Sequence, residues 1–100
     1  MLHHVFFWLK NSDSDEDKHK LIEGLQGLKQ TDTPTSIHIG VPAATPAREV
    51  VDQSYDVSLL VTFVSLSDHD RYQDHPAHLK FVEQCSHLWE HVKVYDTEDM

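Results

Sequence analysis

His3-His4-Val5-Phe6-Phe7-Trp8-Leu9-Lys10 is the stretch that decides the fold. Side chains alternate along it. His3, Val5, Phe7 and Leu9 fall on one face, and His4, Phe6, Trp8 and Lys10 on the other. A period of two with aromatic and β-branched residues is the mark of a strand. Both faces are rich in apolar groups, so the strand is expected to be covered on both sides. The chain has 100 residues, which makes residues 1–100 one domain with a modest core.

Downstream, Asn11-Ser12-Asp13-Ser14-Asp15-Glu16-Asp17 crowds acids at a helix start, with Ser14 and Asp17 spaced as a capping box. A solvated, capped helix explains this run better than a cation site. Leu21, Ile22, Leu25 and Leu28 continue as an apolar stripe, and Thr31-Asp32-Thr33-Pro34 stops it. Gly24 and Gly27 cost helix stability and suit close packing. Alternation returns at Ser36 to Val41, a second strand. Pro42 to Gln53 reads as a loop. Tyr55 to Ser65 is the third strand, with Tyr55, Val57, Leu59, Val61 and Phe63 on one face.

Ser67 is then expected to cap a short helix with Asp70 at its third position. That helix carries Tyr72 and ends near His75. Pro76 suits the first turn of another helix, which carries Leu79, Phe81, Val82 and Cys85. Trp89 leads into a last strand over His91 to Asp96. The order β-α-β-β-α-α-β is the ferredoxin-like α+β arrangement, an antiparallel four-stranded sheet with helices on one side. The uncovered side would be greasier than a lone soluble chain presents. A homodimer through that sheet face is the simplest cover, and the alternative is a flat apolar platform for another partner.

The net charge of −9 with neutral histidines argues against nucleic acid or an anionic membrane. The apolar N-terminal run lacks a basic leader and is too short to span a bilayer. With Cys85 as the single cysteine, a cytoplasmic location fits. Cys85 itself reads as a small buried group, with no basic neighbour to activate it.

Chemistry concentrates in Arg71-Tyr72-Gln73-Asp74-His75-Pro76-Ala77-His78-Leu79-Lys80-Phe81. A phenol and an imidazole held across a helix break can pass a proton, although packing with a wet polar tip is the ordinary use of such residues. Nine histidines in the chain invite a metal reading. His75 with His78 and His87 with His91 have helical ligand spacing. Pro76 interrupts the first pair, a strand interrupts the second, and no CxxC or HExxH supports either. The expectation is therefore no metal and no cofactor.

His3 with Val5, Phe7, Leu9 and Lys10 resembles the opening of the stress-responsive dimeric α/β-barrel (Dabb) family. So do Tyr55-Asp56-Val57 leading to Phe63, Tyr72-x-x-His75-Pro76-x-His78-x-x-Phe81, and Val94-Tyr95-Asp96. Trp8 departs from the polar residue common there. The resemblance implies a homodimer of ferredoxin-like subunits forming a barrel, each with a pocket between sheet and helices. One branch resembles plant polyketide cyclases, which place a catalytic tyrosine and histidine at Tyr72 and His78. In that branch His3 assists, and Val5, Phe7, Leu59, His75, Phe81 and Trp89 complete a pocket for a small organic ligand. The implied reaction is cofactor-free cyclisation or isomerisation by proton abstraction beside a carbonyl. Two other readings stay open: a stress-related dimer that binds or packs without turnover, and the haem or metal binding seen in some barrels of this shape.

Overall fold

A computed structural model describes residues 1–100. The elements are β1 (Leu2–Leu9), α1 (Asp15–Gln26), β2 (Ser36–Gly40), β3 (Val57–Thr62), α2 (Leu66–Asp74), α3 (Pro76–Cys85) and β4 (Trp89–Thr97). Short 3₁₀ turns follow α1 (Gly27–Gln30) and α3 (Ser86–Leu88). The sheet runs β2-β3-β1-β4, with every neighbouring pair antiparallel. This is the ferredoxin-like α+β arrangement expected from the order of elements.

The alternation in β1 is realised. His3, Val5, Phe7 and Leu9 are buried, while His4, Phe6 and Trp8 are only half-buried. Val5, Phe7 and Leu9 meet Val57, Leu59, Val61 and Phe63 of β3 and its end, together with Leu21, Leu25 and Leu28, in one core. Ser14 caps α1, its hydroxyl accepting from the Asp17 N–H at 3.1 Å. Gly24 lies where α1 crosses α3: a Cβ there would collide with the Cys85 sulfur and press on the Phe81 ring. At Gly27 a Cβ would meet nothing, so only the first glycine serves packing.

The opposite sheet face is an aromatic tract. The Phe6 ring lies 4.3 Å from His4, 4.9 Å from Tyr55 and 6.1 Å from Tyr95, centre to centre. Trp8 lies 4.9 Å from His91. No helix covers this side.

Three expectations are corrected. The cap of α2 is Ser65, accepting from the Asp68 N–H at 3.2 Å, and not Ser67 with Asp70. β3 begins at Val57, because Asp56 turns to β1. Its main-chain N–H donates to the Phe7 carbonyl and its carboxylate accepts from the Leu9 N–H. Tyr55, one residue earlier, therefore packs on Phe6 across the open face, away from Val57. β4 is longer than its alternation suggests, since β1 offers it partners from Leu2↔Thr97 to Leu9↔Trp89.

Candidate acid–base and ligand site

The break between α2 and α3 builds the site. The His75 N–H donates to the Tyr72 carbonyl at 3.1 Å, closing α2. Extended backbone at His75 (φ −64°, ψ 138°) then redirects the chain, and Pro76 opens α3. The His75 ring stays at the junction, where Nδ1 accepts from the Ala77 N–H at 3.0 Å. Tyr72 is thereby fixed on the last turn of α2 and His78 on the first turn of α3. Their ring centres are 4.9 Å apart at 62°.

Tyr72 is 1% exposed. Neither its hydroxyl nor the Nδ1 of His78 has a hydrogen-bond partner, and both atoms are buried. Such groups are uncommon in folded proteins and call for an explanation. Burial pushes the Tyr72 phenol well above its ordinary range. Burial also lowers the His78 imidazole, with His3 and His69 acting the same way and the Gln73 main chain opposing. At neutral pH the pair is thus a protonated phenol, able to donate to an oxygen, beside a neutral imidazole, able to take a proton.

His3 stands next to this pair. It is 6% exposed, and its Nδ1 lies 2.5 Å from Oδ1 of Asp96, its cross-strand partner in β4. The His3 ring centre is 6.2 Å from Tyr72 and 5.0 Å from His69.

A cavity of about 150 Å³ lies between sheet and helices. Its lining brings together His3, Tyr72 and His78 with Val5, Phe7, Leu59, Phe81 and Trp89. His75 is not part of it and caps α3 instead. Gln73, Leu28, Val82, Val92 and Val94 also line it, and the sequence reading missed them as lining residues. Missed too were Asp96 and His69, which touch His3. His69 lies three residues before Tyr72, on the same helical face, and that spacing was the available signal. A second cavity, about 220 Å³, sits on the open sheet face among Phe6, Trp8, Tyr55 and Tyr95.

An antiparallel four-stranded sheet with helices on one side places the chain among the small ferredoxin-like α+β proteins. Residues 1–99 match the model of the Stress responsive A/B Barrel Domain, Dabb. The chain belongs to that family. A comparison with curated proteins finds no match. Among solved structures it is similar to an Arabidopsis thaliana protein, with 24% identity, a TM-score of 0.78, and coverage of 99% of this chain and 94% of that one. A dimeric ferredoxin-like protein from Thermobifida fusca has 15% identity and a TM-score of 0.75, over 94% and 85% of the two chains. The hydroxynitrile lyase from Passiflora edulis has 21% identity and a TM-score of 0.75, over 94% and 87%. These likenesses establish the fold. No helix of the chain is long and apolar enough to cross a membrane.

Proposed function

We propose that the cavity between sheet and helices binds a small carbonyl compound and that Tyr72 and His78 perform acid–base chemistry on it. The supporting observation is the pair itself: two buried, unpartnered polar atoms on side chains that line one cavity. A carbonyl oxygen would accept from the Tyr72 hydroxyl, and the neutral His78 ring would take the proton from the neighbouring carbon. His3, held by Asp96, is the third group and assists. The reaction class is cyclisation or isomerisation. The similarity to a hydroxynitrile lyase is consistent with a fold that can host an enzyme, though fold alone does not carry function.

The hollow is small and open to solvent on one side. About 150 Å³ is below the roughly 300–1,000 Å³ of pockets for drug-sized ligands. A compact ketone or aldehyde suits this space better than an extended polyketone. The same small volume favours a second reading, in which a cytoplasmic stress-related protein holds a ligand without turnover. Both readings place the protein as a homodimer, with a second copy on the open aromatic face.

The test is a thermal-shift screen of small ketones and aldehydes on wild type, Tyr72→Phe and His78→Gln. A compound that stabilises wild type is expected to lose most of its shift in either variant. Deuterium uptake from solvent at the carbon beside the carbonyl, followed by NMR, then separates turnover from binding. Equal shifts in all three proteins would remove the site from Tyr72 and His78.

A further inference from the structure

We propose that His3, His69 and Asp96 form a site for one divalent first-row transition-metal ion. The three residues come from β1, α2 and β4 and converge at one edge of the sheet–helix interface. One donor atom from each lies within 4.8 Å of the others. Two imidazoles and one carboxylate are a donor set suited to zinc or iron(II), and poorly suited to magnesium or calcium.

The surroundings favour a site over a simple ion pair. His3 with Asp96 alone would satisfy both groups at 2.5 Å. Yet a second imidazole is placed edge-on against His3, ring centres 5.0 Å apart. The Nδ1 of His69 lies 3.2 Å from the exposed Asp70 carboxylate, which leaves Nε2 as the ligating atom once the Gln73 side-chain amide, 3.5 Å from it, moves aside. A carboxylate behind a ligating histidine is the usual outer support of a metal site. The net charge of −9 raises the local concentration of cations. Bond lengths near 2.0–2.2 Å put tetrahedral donors about 3.4 Å apart, so the His3–Asp96 contact, at 2.5 Å, must open while the donors farthest apart draw together. His69 is half-buried and Asp96 exposed, which leaves both free to make that adjustment. Three protein ligands leave a fourth position for water or for a ligand in the cavity that His3 lines.

Sequence spacing hides this set, because no two of its members share an element. It shares His3 with the acid–base reading, but neither Tyr72 nor His78 is a ligand, so metal binding and the acid–base pair can be tested separately.

The test uses the full chain, purified without a nickel column and dialysed against chelator. Zinc(II) is titrated by calorimetry and cobalt(II) by visible absorption. One equivalent of each is expected to bind. His69→Ala and Asp96→Asn, checked for folding by circular dichroism, are expected to weaken binding at least tenfold. Tyr72→Phe and the double variant His87→Ala/His91→Ala are expected to bind as wild type does. The proposal is overturned if wild type takes up no stoichiometric metal. It is equally overturned if the His87/His91 variant loses the metal while His69→Ala keeps it.

Discussion

The Tyr72 hydroxyl is buried with no partner, so it costs stability where it stands. Leaving a polar group unsatisfied costs about 1–3 kcal/mol. Tyr72→Phe removes that group and keeps the ring against Phe63 and His78. Urea unfolding should therefore show the variant as stable as wild type or more stable by up to about 1 kcal/mol, even as ligand response falls. A loss of more than about 2 kcal/mol would show that the hydroxyl has a structural partner. His78 gives a second expectation. Its folded-state value lies below the ordinary 6.5, so the folded protein holds that proton more weakly than the unfolded chain does. The linked stability is complete above pH 6.5 and declines as pH falls from there through the depressed folded value. Between about pH 7.5 and pH 5.5, wild type should lose more stability than His78→Gln. The NMR titration of the His78 ring should have its midpoint below that of an exposed histidine.

Helix packing rests on Gly24. Alanine is the better helix former by about 1 kcal/mol, yet its Cβ would overlap the buried Cys85 sulfur. Overpacking of this kind costs about 1–3 kcal/mol, so Gly24→Ala should destabilise in chemical denaturation. Cys85→Ala should recover part of the loss in a double-mutant cycle. Gly27→Ala, with ordinary helical angles and open space, should stabilise. Elements such as these were mostly legible from the sequence. Alternation announced β1 and β3, and a proline after a polar turn announced α3. The errors have physical causes. Ser65 and Ser67 each have an acid three residues on, so capping chemistry alone could not choose between them. Tyr55 changed faces because Asp56 was drawn to the β1 main chain. The pocket lining was expected from the family resemblance rather than from local pattern, and the Asp96–His3 contact depends on the β1–β4 register, which local sequence does not specify.

The two faces of the sheet divide the work of the whole molecule. One face, under the helices, lines the Tyr72–His78 cavity. The other carries Phe6, Trp8, Tyr55 and Tyr95 around a shallow hollow, an apolar surface that calls for a cover. A solved relative of the same fold is described as dimeric, and a two-fold pairing of this face would bury Phe6 and Trp8 against their own copies. The most direct measurement is the solution mass by sedimentation equilibrium at micromolar concentration, for wild type and for Phe6→Glu. Twice the 11.6 kDa chain mass is expected for wild type, with a folded or unfolding monomer for the variant. A well-folded wild-type monomer of 11.6 kDa would contradict the account.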